Sequence, residues 1–156
     1  MATNNTAMSC AILGEYVAKD RVAVFIVERG KVLLMHRHKA GMEYYSVPGG
    51  KMEQGETPEQ TAVREIHEET SINVQAARLL GTLRNQDRTE YYFLAESFEG
   101  HPVLGGPELQ RQSPENHYEL EWVEADRVRN IDLMPPSIRT MCAELAAGRM
   151  GKEPWL

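Results

Sequence analysis

The chain has 156 residues, 42% hydrophobic and 26% charged, with seventeen basic side chains against twenty-three acidic ones. That length supports one domain with a sizeable core, and the composition is that of an ordinary soluble globular protein. A formal net charge of −6 argues against broad binding to long nucleic acid or to an anionic membrane, leaving room for a local basic pocket.

The start, "MATNNTAMSCAILGEY", lacks a basic segment followed by a long apolar run, so no signal peptide is expected. No stretch reaches the ~18 apolar residues that a bilayer span needs. Cys10 and Cys142 show no metal or disulfide spacing and read as ordinary thiols of a reducing cytoplasm. Residues 1–17 read as an N-terminal arm, 18–148 as the folded domain and 149–156 as a C-terminal tail. "RVAVFIVERGKVLLMHRH" predicts two β-runs, 22–28 and 31–37, joined at Arg29-Gly30. The first is almost wholly apolar, which asks for a sheet covered on both faces. Pro48-Gly49-Gly50 is expected to lie outside any regular element.

The strongest helix signal follows. Thr57 can N-cap, Pro58 suits the first helical position and Gln60 completes a capping box. Ala62, Val63 and Ile66 form a narrow apolar stripe, and the helix should run from Pro58 to Thr70. Beyond it, "INVQAARLLGTLRN" and "TEYYFLAESFEG" read as strands with a turn at 85–87. Residues 99–117 hold several Gly and Pro and are expected to be the longest irregular stretch, a length that is often functional. "YELEWVEA" (118–125) alternates as a strand, and Pro135-Pro136 precedes a last helix ended by Gly148.

The helix carries the chemistry. "REIHEE" places Glu65, Glu68 and Glu69 on one face at spacings of three and four, where like charges repel. At 100° per residue Glu69 falls beside the apolar stripe, at about 40° from Glu65, with Ile66 at about 100°. Carboxylates crowded against a buried surface raise one another's pKa unless a cation sits among them. Hard divalent ions take such oxygen ligands together with substrate phosphates. Standing alone, the segment reads first as a solvated acidic face, the commoner meaning of a Glu-rich helix. Its setting favours the cation: a Pro-Gly-Gly turn and Gly55-Glu56 lie just before it, and Arg64 within it can pair with Glu56 or Glu68.

"GKMEQGETPEQTAVREIHEETSI", Gly50 to Ile72, resembles the Nudix box: Gly, five residues, Glu, seven residues, then Arg-Glu-apolar-x-Glu-Glu-x-Gly-apolar. Gly50, Glu56, Arg64, Glu65, Ile66, Glu68, Glu69 and Ile72 match, while Ser71 stands where the family has its last glycine. The resemblance implies an α/β fold, a mixed β-sheet sandwiched between helices with the box as loop-helix-loop. It implies hydrolysis of a pyrophosphate bond in a nucleoside diphosphate-linked substrate. Glu65, Glu68 and Glu69, with the Gly49 carbonyl, would hold Mg²⁺ or Mn²⁺, and Arg64 and Glu56 would fix the acidic face.

In this family the general base is either a box glutamate or one from a distant loop; for the latter Glu115 is the first candidate and Glu119 the second. Arg37 and His38, ending the second run, can face the phosphates or the base, or simply solvent, and Gly50 can approach substrate. Tyr45, like Tyr44, can stack on a nucleobase or pack in the core. His67 is expected to be exposed, and Tyr91, Tyr92, Phe93 and Trp122 to belong to the sheet core. Within the family the box is most similar to that of enzymes acting on (d)NTPs, oxidised forms such as 8-oxo-dGTP included. ADP-ribose, sugar nucleotides and dinucleoside polyphosphates are the alternatives. A nucleotide-sensing module without activity is disfavoured because every box glutamate is present. The resemblance also suggests a homodimer.

Overall fold

The computed structural model describes residues 20–149. The expected arm over 1–17, Cys10 within it and all but the first residue of the tail lie outside the described residues. The two apolar runs form β1 (Arg21–Phe25), β2 (Val27–Glu28) and β3 (Lys31–Lys39). Left-handed Arg29 and Gly30 (φ 52° and 77°) turn the chain between the last two. A second such pair, Ala40 and Gly41 (φ 50° and 79°), returns it into β4 (Met42–Ser46), too short and too polar to announce itself.

Pro48-Gly49-Gly50 departs from expectation. Gly49–Lys51 form a strand, β5, antiparallel to β1. The missing side chain permits it: a Cβ on Gly49 would lie 1.9 Å from the Val22 carbonyl oxygen. The helix α1 (Pro58–Thr70) follows, then the long hairpin β6 (Asn73–Asn85) and β7 (Arg88–Glu99). The stretch expected to be irregular contains a short helix, α2 (Gly106–Gln110). After it come β8 (Asn116–Glu124), α3 (Ala125–Val128), β9 (Leu133–Met134), a 3₁₀ turn and α4 (Arg139–Ala146).

Two sheets result. One has the order β5-β1-β7-β6 and is mixed, because β1 runs parallel to β7 but antiparallel to β5. The other has the order β2-β3-β4-β9, with β8 pairing along the whole of β3. As the apolar run requires, β1 is buried on both faces. Val22, Val24 and Ile26 pack with Ala62 and Ile66 of α1, whereas Ala23 and Phe25 pack with Met141, Cys142 and Leu145 of α4.

Val63 does not join the apolar stripe. It is 45% exposed, and Thr61, Glu69 and Thr70 share the buried face with Ala62 and Ile66 instead. Tyr92 and Phe93 are fully buried, on opposite sides of the sheet; Tyr91 and Trp122 pack half-buried against the core that holds Phe93. Burial pushes the Cys142 thiol up to about 12, which makes it an inert core residue. Among the described residues no helix is long and apolar enough to cross a membrane.

Candidate active site

The first helical turn fixes where the acids point. The Gln60 amide donates to Thr57 Oγ1 (3.2 Å) and the Thr57 amide to Gln60 Oε1 (2.9 Å), the reciprocal bonds of a capping box. Arg64, one turn on, gathers the outer carboxylates. It donates to both oxygens of Glu56 (2.6 and 2.8 Å), to Glu65 (2.9 Å), to Glu68 (3.2 Å) and to the Lys51 carbonyl (3.1 Å). Hydrogen bonds from Arg64 hold Glu56 down at about 2, against the effect of burial. Arg64 thus neutralises the rim of the acidic face and clamps the preceding loop to the helix.

The inner acids are left over. Glu69 is 5% exposed, and among the described residues the one hydrogen bond to its carboxylate is a long one, from the Gly49 amide at 3.4 Å. Burial first, and the nearby charge of Glu108 second, push its carboxyl up to about 8, with Arg21 pulling the other way. Burial also raises Glu65, although Arg64 resists it and Glu68 and Glu108 add to it. A carboxylate so placed is either protonated or paired with a cation. Oxygen ligands alone, several of them charged, fit Mg²⁺ or Mn²⁺. Gly50 makes room for them, since a Cβ there would lie 2.2 Å from the Glu65 carboxylate.

Glu108 was not foreseen. Its segment docks on the C-terminal end of α1, whose last carbonyls lack helical partners. The Val103 amide donates to the Thr70 carbonyl (2.8 Å) and the Gly105 amide to that of Glu69 (2.9 Å). The fit is close enough that a Cβ on Gly105 would meet the Glu68 carbonyl at 2.6 Å. Three residues later the first turn of α2 presents Glu108 to Glu65 and Glu69. A usable signal does exist in "GGPEL": a glycine pair followed by a proline in a first helical turn and an acid beside it.

These acids line a cleft of about 370 Å³ together with Gly49, Gly50, Arg21, Arg37, Arg88, Arg111 and Tyr118. Arg37 lies 4.4 Å from the Tyr118 ring centroid and 5.3 Å from that of Tyr44, and donates to the Tyr118 hydroxyl (2.7 Å). Its buried Nε–H finds no acceptor among the described residues. Arg88 is held by the buried carboxylate of Glu90 at 2.6 Å. A second chamber of about 480 Å³ shares Arg21, Arg37, Ser46 and Arg88 and continues past Tyr44, Asn85, Gln86 and Pro135.

Of the residues expected at the site, Glu65, Glu68, Glu69, Gly49, Gly50 and Arg37 line this cleft, with Arg64 and Glu56 behind them. His38, Tyr45, Glu115 and Glu119 do not. Arg37 faces the cleft, so strand alternation turns His38 to the opposite face of β3. Tyr45 is buried there, stacked on His36 at 4.1 Å. Glu119 pairs with His36 across β3 and β8, facing solvent on that side. Glu115 is exposed in the turn before β8, and its carbonyl accepts from the Ala40 amide (3.1 Å). His67 is exposed, as expected.

A profile of the NUDIX domain matches residues 18–145. Over 59 residues the chain is 48% identical to the 8-oxo-dGTP diphosphatase of Escherichia coli, covering 35% of this chain and 46% of that protein. Over 95 residues it is 33% identical to the oxidized purine nucleoside triphosphate hydrolase of Danio rerio, covering 56% and 61% respectively. The matched segments therefore span about half to three fifths of those relatives. A crystal structure of the MutT NUDIX hydrolase from Burkholderia pseudomallei superposes with a TM-score of 0.59 at 27% identity, over 85% of this chain and 98% of that one. Together with the acidic helix and the loop closing over it, these matches show that the chain belongs to the NUDIX family.

Proposed function

We propose that the protein is a divalent-cation-dependent pyrophosphohydrolase acting on nucleoside triphosphates, oxidised purine forms among them. The carrying observation is the polarity of the cleft. Its lining brings Glu65, Glu68, Glu69 and Glu108 together with Arg21, Arg37, Arg88 and Arg111. A lone anion is repelled by the carboxylates and a lone cation by the guanidinium groups; a polyphosphate with its metal satisfies both. Glu65, Glu68, Glu69 and the Gly49 carbonyl would hold Mg²⁺ or Mn²⁺. Such an ion, when bound, offsets phosphate charge and acidifies water.

The protein's own groups supply the rest. Arg37, with its unmet Nε–H, and Arg111 bind the phosphate oxygens that gain charge as the phosphorus–oxygen bond breaks. The carboxylate of Glu108 accepts the proton of the attacking water. Arg64 takes no part in that transfer and keeps Glu65 and Glu68 aimed inward. The second chamber, with Tyr44, Asn85 and Gln86, accommodates the nucleoside: an aromatic face for the base and amides for its edge. The two named relatives act, by their descriptions, on oxidised purine nucleotides, which supports this substrate class over ADP-ribose, sugar nucleotides and dinucleoside polyphosphates.

The test is a hydrolysis panel of (d)NTPs, 8-oxo-dGTP, ADP-ribose, sugar nucleotides and dinucleoside polyphosphates with Mg²⁺ and with Mn²⁺, products identified by mass. Nucleoside monophosphate and pyrophosphate from a triphosphate are expected. Release of neither from any member of the panel, by folded protein that binds nucleotide, would overturn the reading in favour of a sensing module.

A further inference from the structure

The face of β3 turned away from the cleft carries a second concentration of ligating groups. His36 Nε2 lies 2.6 Å from Glu43 Oε1 on the neighbouring strand β4. The rings of His36 and His38 are 4.4 Å apart, centroid to centroid. His36, His38 and Glu43 each bring one ligand atom within 4.8 Å of the others. His117 of β8 stands directly opposite His38 in the strand register, its ring 6.1 Å away. We propose that these residues form a binding site for a first-row transition cation of the zinc class, independent of the acidic cleft.

The chemistry of the donors sets the ion. Two imidazoles and one carboxylate, with a third imidazole or a water for the remaining position, suit a borderline cation and are a poor set for Mg²⁺. The backbone organises them. His36 and His38 are two apart on a strand and share a face, while Glu43 pairs with His38 across a tight hairpin. A tetrahedral ion with bonds of about 2.0–2.1 Å holds its ligand atoms roughly 3.3 Å apart. The His36–Glu43 pair, at 2.6 Å, therefore has to open slightly, and the widest pair, within 4.8 Å, to close by at most about 1.5 Å, which exposed His38 and Glu43 can do by rotamer adjustment.

His36 is oriented in advance. Its ring is stacked on Tyr45 with an interplanar angle of 10°. Its Nδ1 lies 3.5 Å from Glu121 Oε2, a buried oxygen with no hydrogen-bond partner among the described residues. Coordination at Nε2 would leave the proton on Nδ1 and give that oxygen the donor it lacks, the usual arrangement behind a metal-bound histidine. Arg127 steadies the support, donating to Glu121 (2.7 Å) and to the Tyr45 hydroxyl (2.7 Å). A simple His36–Glu43 hydrogen bond accounts for the 2.6 Å contact but not for the approach of His38 or the unmet Glu121 oxygen.

Tag-free protein, stripped with EDTA and returned to saturating Mg²⁺, should take up one added Zn²⁺ per chain in competition with a chromophoric chelator. His38→Ala and Glu43→Gln, both at exposed positions, should each weaken that affinity at least tenfold, with metal-free melting curves unchanged. Co²⁺ in place of Zn²⁺ should give visible absorption bands that His38→Ala abolishes. Glu69→Gln should leave the zinc affinity intact, so the result stands apart from any hydrolytic assay. No zinc taken up by the wild-type chain, equal affinity in His38→Ala, or loss of affinity in Glu69→Gln would each overturn the proposal.

Discussion

Two segments meet at the cleft and reach it by different routes. Helix α1 carries its acids by local periodicity, and the cation that steadies their outer edge, Arg64, lies in the same turn. The segment over 100–111 contributes a single acid, Glu108, and positions it only by giving backbone amides to the end of α1. The first arrangement is a property of a short sequence and the second a property of the folded chain. On the proposed mechanism the difference gives different work to each: α1 accumulates charge that needs a cation, and the docked segment adds the group left to take a proton.

Glu69 is the point at which the helix depends most on that cation, so its substitution should have the largest effect. Glu69→Gln keeps the shape and removes the charge, and turnover with Mg²⁺ should fall by about 10³-fold or more. Stability should move the opposite way. The folded pKa is raised from 4.5 to about 8, so the native state holds a proton that the unfolded chain gives up. In metal-free wild-type protein the Glu69 contribution to stability is then fully present below its ordinary carboxylate range and is lost as pH climbs from 4.5 towards 8, by at most about 1.4 kcal/mol per pH unit. Gln has nothing to ionise. In EDTA, thermal melts should show the variant gaining on the wild type across that interval, and Mg²⁺ should stabilise only the wild type. Parallel melting temperatures throughout would show that Glu69 is not a strained carboxylate.

Glu108→Gln addresses the other segment. It should lower kcat by about 10²-fold and leave Mg²⁺ affinity within a few-fold of the wild type. A large fall in metal affinity would move Glu108 from proton acceptor to ligand.

What the sequence makes visible follows the same division. The capping box, the Arg64–Glu56 pairing and the doubly covered β1 are each decided within a few residues, by hydrogen-bonding groups or by an unbroken apolar run. Glu108 was overlooked in favour of Glu115 and Glu119 because nothing local says that Val103 and Gly105 will find the carbonyls of Thr70 and Glu69. For His38 the failure was avoidable. Consecutive strand residues face opposite ways, so Arg37 and His38 cannot both enter one cleft. The same alternation separates Tyr44, beside Arg37, from Tyr45, buried behind it.

The paired glycines separate scaffold from site within two residues. In Gly49→Ala the new methyl meets the backbone of β1, which cannot swing aside, and the loss of stability should be about 1–3 kcal/mol or more. In Gly50→Ala it meets only the end of the Glu65 side chain. Denaturant unfolding should find Gly50→Ala near the wild type, while its Mg²⁺ affinity drops about tenfold as Glu65 is pushed from its place. Equal destabilisation of the two would mean that Gly50, too, serves the fold.

The smallest effect belongs to the junction between the two segments, where the chain departs from the family's pattern. Ser71 ends α1 in the left-handed conformation, with φ 66° and ψ 5°, where a Cβ is unfavourable and glycine is not. Its hydroxyl offsets part of that by donating to the Val103 carbonyl at 3.3 Å, one more tie to the docked segment. Ser71→Gly removes the conformational cost, loses an exposed hydrogen bond and gives the unfolded chain more freedom. The balance should be a gain below about 1 kcal/mol, read as a rise of about 2 °C or less in Tm. The hydroxyl faces Val103 and not the acids, so kcat should be unchanged. If kcat falls together with that of Glu108→Gln, the Ser71–Val103 tie sets the position of Glu108, and the junction belongs to the docked segment more than to the helix.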